Sequence, residues 1–155
     1  MSEALAAFLA DGVSVVVSSG GAGGWPAVGR ALGCAVAADG RRVTVFLAES
    51  ASQGLLAAIA GSGRIAVAVT KPSTHRSIQI KGRAAARVPL PADAHAILAH
   101  HGEAFARDLL TIGYDRRFTR TLMDHDPADV VAVAFTPCGL FDQTPGPNAG
   151  CAVAP

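Results

Sequence analysis

The chain has 155 residues, half of them hydrophobic, and carries 13 basic against 12 acidic side chains for a formal net charge of +1. A chain of that size buries roughly 68–70% of the surface it exposes when unfolded, so a single domain spanning residues 1–155 is expected to fold without disulfides or a structural metal. The basic residues are scattered, which leaves no electrostatic footprint for nucleic acid or an anionic membrane.

The opening Met1-Ser2-Glu3-Ala4 is acidic and has no basic segment ahead of an apolar one, so no secretory leader is expected and the compartment implied is the cytoplasm. The apolar runs Val13 to Val17, Val43 to Leu47, Ile65 to Val69 and Val130 to Phe135 all stay far short of the roughly 18–20 residues a membrane span needs. Cys34, Cys138 and Cys151 are odd in number and far apart, with no C-x-x-C pair, which points to small core or surface thiols.

Taken in order, Val13 to Ser18 is short and β-branched and reads as a strand, followed by the flexible turn Gly20 to Gly24. Ala27 to Ala37 reads as a second strand, and Asp39-Gly40 as a two-residue type I′ hairpin turn into a third, Arg42 to Leu47. From Ser50 the period changes. Leu55, Leu56 and Ile59 share a helical face, Ser50-Ala51-Ser52-Gln53 fits a capping box, and Gly61 is the expected stop. Arg64 to Thr70 reads as a buried strand. Ser77 to Gly82 alternates, with Ile78 and Ile80 on one face and Ser77, Gln79 and Lys81 on the other. A helical stretch spans Ala92 to Leu110 with Gly102 as a possible break point, a short helix covers Arg116 to Met123, and a last strand runs from Asp129 to Phe135 and resumes at Gly139 to Asp142. Residues 143–155 are turn-rich and expected to be irregular. Hairpins without regular β-helix-β alternation favour a mainly β fold, a small antiparallel barrel with helical inserts, over a doubly wound sheet.

Several motifs carry less than their letters suggest. Gly61-Ser62-Gly63-Arg64-Ile65-Ala66 spells a dinucleotide fingerprint, but a helix ends and a strand begins there, the reverse of what pyrophosphate binding needs. His95, His100 and His101 do not have the i, i+4 spacing of a helical ligand pair, so a solvated helix face is expected and no metal site.

The start of the Ser50 helix is more informative. Ser50, Ser52 and Gln53 offer hydroxyls and free backbone N–H groups where the helix dipole favours an anion, a cheap phosphate site whose alternative is ordinary N-capping. Arg30, Arg76 and Lys81 could bring permanent charge to the same corner, or belong to solvated strand faces.

In order and spacing, Pro26-x-x-x-Arg30-Ala31-Leu32-Gly33, then Val45-Phe46-Leu47-x-x-Ser50-x-Ser52-x-Gly54-Leu55, then Arg64-Ile65-Ala66-Val67, then Arg76-Ser77-Ile78-Gln79-Ile80-Lys81-Gly82-Arg83-Ala84 resembles the pyridoxamine 5′-phosphate oxidase-like family over roughly residues 13 to 142. The resemblance implies a six-stranded antiparallel split β-barrel that binds FMN, assembled as a homodimer with flavin in the groove between subunits. It implies a flavin phosphate held by Arg30, Ser50, Ser52 and Arg76. Ser77 stands where the oxidases carry a flavin-contacting glutamine, and Gln79, two residues on along the same face, is the candidate replacement. The closing Gly150 to Pro155 has no counterpart of the oxidases' Trp and Arg-Leu-x-Pro, which help hold pyridoxal phosphate. The expectation is therefore an FMN-dependent oxidoreductase of unassigned substrate, with NADH or NADPH a candidate donor. The alternative is a non-catalytic module binding flavin, deazaflavin or haem on the same barrel.

Overall fold

The computed structural model describes residues 1–154. Helix α1 (Glu3–Ala10) leads into strands β1 (Ser14–Gly20), β2 (Pro26–Ala31), β3 (Gly33–Val36) and β4 (Val43–Ala48). Helix α2 (Glu49–Ser62) separates these from β5 (Arg64–Thr70) and β6 (Ser77–Val88), and helices α3 (Ala94–Thr111) and α4 (Arg116–Met123) precede β7 (Val130–Asp142). All pairings are antiparallel, in the order β2-β1-β5-β6-β7-β4-β3.

The two edges of this sheet, β2 and β3, are consecutive in the chain and separated by Leu32 alone. The segment expected as one strand thus turns a corner. Its first half pairs with β1 and its second with β4, and Leu32 N–H donates to the Phe46 carbonyl (2.8 Å) at the bend. One strand shared between two edges is how six expected strands become seven and how the sheet curls into a split barrel.

Inward positions alternate with outward ones as strand geometry demands. Val15, Val17, Val45, Val67, Ile80, Val133 and Phe135 fill the interior with Leu55 and Ile59 of α2 and Leu5, Phe8 and Leu9 of α1. A second, smaller cluster lies outside the barrel, where Leu98 and Ala94 of α3 cover Leu32, Phe46, Val130 and Ala132. Phe46, fully buried there, is worth about 3–5 kcal/mol against alanine. Among the described residues no helix is long and apolar enough to cross a membrane.

Several boundaries differ from expectation for local reasons. Helix α2 begins at Glu49, so Ser50 lies inside its first turn, and the N-cap Ala48 has no side-chain bond to give. The helix passes through Gly61 and stops at Gly63, which takes the left-handed conformation (φ 61°) of a C-cap. Gly102 does not break α3. Gly40 has φ 68° while Asp39 keeps a negative φ, so the β3–β4 turn is not type I′; Gly40 N–H donates back to Ala37 O (2.8 Å). Strand β7 runs unbroken through Pro137, and the tail folds back on it through Asp142 N–H to Cys151 O (2.9 Å) and Val153 N–H to Leu140 O (3.0 Å). His101 is buried, contrary to the solvated face expected, and Cys34 is a core thiol whose pKa burial pushes up to about 12.

Candidate functional site

The outer face of β2, β1, β5 and β6 is met by α3 and α4 at Arg30 on the β2 margin and is open at Val16, Val28 and Lys81. The register lines up Arg30, Val16, Ala68, Gln79 and Phe141 across five strands. The next row towards the β1–β2 hairpin is Val28, Ser18, Ala66, Lys81 and Gly139. The middle of this surface is made of small side chains, while its margins carry Arg30, Gln79 and Lys81. Val16 and Val28 stay 41% and 62% exposed, apolar surface left open on the face of the sheet.

Arg30 occupies the β2 margin, where its guanidinium lies over the Phe105 ring of α3 (5.3 Å) and Nη2 approaches Met123 Sδ of α4 (3.7 Å). Partial burial against these helices lowers its pKa from the ordinary arginine value. Beyond Met123, α3 and α4 enclose a groove of about 510 Å³ with Leu32, Leu98 and Met123 along its floor and His95, Glu103 and Arg120 at its rim. At the opposite margin Lys81 Nζ rests over the Phe141 ring (4.5 Å), a cation–π contact.

Helix α2 does not join this surface. Asp129, from the turn preceding β7, accepts from Ser50 N–H (2.9 Å) and from Ser50 Oγ (2.6 Å). A carboxylate of the chain itself therefore holds the helix N-terminus, and the hydroxyl bond, with the N–H bond second, draws its pKa below the usual aspartate value. Beside it Arg87 forks onto Glu49 (2.9 Å to Oε2). Ser52 is buried against the inward side of β2, where a Cβ on Gly29 would stand 3.9 Å from its Oγ, so it lies across that strand from Arg30. Gln53 is exposed on α2.

Arg76 and Ser77 sit at the strand ends near α1. The Arg76 guanidinium lies over Phe8 (4.5 Å). Ser77 Oγ donates to His75 O (3.0 Å) and pairs with Thr70 Oγ1 (2.8 Å), which uses its hydroxyl within the turn. The outer sheet face thus gathers Arg30, Gln79 and Lys81 and leaves Ser50, Ser52 and Gln53 on a separate helix. Two cations missing from the sequence expectations, Arg64 and Arg83, face each other across β5 and β6 next to Lys81. Strand parity from Lys81 to Arg83 was the signal available for one of them. Among the described residues no group of three or more His, Cys, Asp or Glu side chains is placed to hold a metal.

No family model matches the chain, and no curated protein matches it. Solved structures do. An F420 reductase superposes with a TM-score of 0.57 at 16% identity, covering 90% of this chain and 98% of its own. HutZ, a haem storage protein from Vibrio cholerae, gives 0.53 at 14%, covering 90% and 92%. A candidate pyridoxamine 5′-phosphate oxidase from Lactobacillus delbrueckii gives 0.53 at 11%, covering 91% and 93%. Their common architecture is the one described above: this chain has the pyridoxamine 5′-phosphate oxidase-like split-barrel fold.

Proposed function

We propose that this chain is a flavin-binding oxidoreductase that works as a homodimer, with FMN the flavin. The observation that carries the reading is the row Arg30–Val16–Ala68–Gln79–Phe141: the short side chains of Val16 and Ala68, open on one side, lie between hydrogen-bond donors at Arg30 and Gln79. The residues present fit a flavin in that sense, and a flavin bound there would supply the hydride or electron transfer. The chain's own part is to position. Gln79 offers an amide N–H and a carbonyl to the polar edge of a ring, and Arg30, braced by Phe105, holds a fixed positive charge at the end of the row. A second copy laid on the open face would exclude water from the ring.

The haem-binding alternative draws on the likeness to HutZ. It needs an axial histidine, cysteine or methionine; the row itself carries none of these, and the ones the structure places beside the face are Met123 next to Arg30 and Cys138 in the groove with Lys81. F420, the deazaflavin named in another structural neighbour, shares the flavin's planar shape, and a deazaflavin band in the spectrum of the protein as purified moves the assignment to it.

The absorption spectrum of the purified protein between about 300 and 600 nm, before and after loading with FMN, tests the reading. Flavin bands retained through gel filtration, bleached by NADH or NADPH and restored by air, are expected. A Soret band moves the assignment to haem, and retained flavin that no donor reduces moves it to the non-catalytic module. Arg30→Ala is expected to weaken flavin binding by about tenfold, the loss of one charged hydrogen bond, read by quenching of flavin fluorescence. Unchanged affinity removes Arg30 from the site.

A further inference from the structure

At the β1–β2 hairpin end of the open face the sheet forms a groove of about 560 Å³, lined by Ser18, Ser19, Arg64, Lys81, Arg83 and Cys138 among others. Three of its side chains are cations and none is an acid. Arg64 and Arg83 stand directly opposite each other on neighbouring antiparallel strands, a like-charge pairing that sheets ordinarily avoid because it is destabilising. Among the described residues the ion pairs involve Lys71, Arg87 and Arg116, so none neutralises these three.

The local backbone builds this crowding. Gly82 is turned inward against Phe135, which leaves Lys81 and Arg83 both directed outward. The β6–β7 register slips between Lys81 and Gly82, so that Lys81 faces Gly139 while Gly82 faces Pro137, and Cys138 is left over as a bulge. Ser62 Oγ accepts from Arg64 N–H (3.1 Å) and Ser19 Oγ donates to Arg64 O (2.7 Å), fixing the strand start from which Arg64 projects.

We propose that this groove is a phosphate site: the Arg64 and Arg83 guanidinium forks, joined by the Lys81 ammonium when it leaves its seat over Phe141, take up the phosphate of a small phosphorylated ligand, whose charge relieves the Arg64–Arg83 repulsion. Arginine forks suit phosphate oxygens in pairs, and lysine adds a point charge. Where the flavin reading holds, the phosphate is that of the flavin, and in that part the inference rests on the preceding section. It moves the phosphate away from the α2 start, which Asp129 already fills, and leaves Arg30 to the ring end of the face.

The experiment titrates pyrophosphate, inorganic phosphate, FMN and riboflavin into the protein in a phosphate-free buffer by calorimetry, for the native chain and for Arg64→Gln, Arg83→Gln and, as a control on a distant turn, Arg42→Gln. Pyrophosphate is expected to bind saturably, about tenfold more weakly in each groove variant and unchanged in the control. On the native chain it is expected to shift the amide resonances of Ser19, Gly20 and Gly82, a readout independent of any variant's folding. Absence of saturable pyrophosphate binding up to about 10 mM, or equal binding by the Arg64→Gln/Arg83→Gln double variant, overturns the site. FMN bound no better than riboflavin, with pyrophosphate inert, ends the phosphate site and leaves the flavin reading standing. Pyrophosphate bound in the groove with neither flavin bound ends the flavin reading and leaves the phosphate site.

Discussion

Asp129 and His101 show how single side chains acquire roles that their neighbours in sequence do not announce. Asp129 caps α2 from 79 residues away, and its depressed pKa fixes the sign of its contribution. The unfolded chain takes up the proton first as the pH falls, so the stabilisation is complete above the ordinary aspartate value of about 3.9 and is lost as the pH drops through the lower folded value. Asp129→Asn is therefore expected to melt below the native chain at neutral pH, with the gap narrowing as the pH falls below the ordinary aspartate value. A gap that persists in acid assigns the loss to packing. His101 Nε2 lies 2.9 Å from Val13 O and must donate to it, which leaves Nδ1 the unprotonated nitrogen, buried and without a partner. Protonation would put a donor there with nothing to accept it. Burial chiefly, with Arg30 and His100 as nearby positive charges, accordingly lowers its pKa, against the raising effect of the bond to Val13. Stability is then full above about pH 6.5 and falls as the pH drops from there towards the folded value. His101→Gln, whose amide keeps a donor for Val13 O, is expected to flatten that decline in thermal melts taken between about pH 7 and pH 5. Of the candidate cations, Arg30 and Lys81 were legible in the sequence, whereas Arg64 and Arg83 come together only through the β5–β6 register. The capping carboxylate was not, because nothing local distinguishes Asp129 from any other turn aspartate.

Elements were legible where their period was long enough to declare itself. The α4 boundaries, the alternation of β6 and the buried β5 all follow from spacing. Helix α1 had the signal too, since Leu5, Phe8 and Leu9 have the i, i+3, i+4 spacing of its buried face, yet it has no counterpart among the expected elements. The break at Leu32 was beyond reach. Apart from Arg30, Ala27 to Ala37 is apolar with no period that marks a break, and only the tertiary demand that one segment serve both edges of a curled sheet bends it. The β6–β7 bulge is likewise tertiary, and Gly82 is where it can be tested. A Cβ on Gly82 would stand 2.1 Å from Phe135 Cδ2 and 2.8 Å from Ile65 Cγ2, inside the packed interior. Gly82→Ala is expected to cost about 1–3 kcal/mol in denaturant unfolding, the range for overpacking a core, and to perturb the groove formed by its two neighbours. Unfolding at the native denaturant midpoint would mean that β6 shifts freely and that the slip in register is not held by this contact.

Among the described residues two exposed apolar areas differ in character, and the difference decides which of them the proposed dimer would use. On α4, Tyr114 and Phe118 stack on each other (ring centroids 4.7 Å apart) and Leu122 continues the same ridge, so the aromatic surface there is partly used within the chain. The outer sheet face has no such internal partner. Val16 and Val28 stand among Ser14, Ser18, Ala66 and Ala68, a flat surface of short side chains that lets a second backbone approach closely, and it carries the Arg30–Gln79 row on which the flavin reading depends. An isologous dimer places each substituted position in the interface twice, so one new charge per chain becomes two buried ones. Val16→Glu is thus expected to convert a dimer into a monomer by analytical ultracentrifugation, and to lose retained flavin with it. Phe118→Glu on the helix ridge is expected to leave both unchanged. A native chain that sediments as a monomer at micromolar concentration, or a Val16→Glu chain that remains dimeric, removes the sheet face from that role; dissociation by Phe118→Glu alone transfers the interface to α4 and takes the water-excluding wall away from the candidate site.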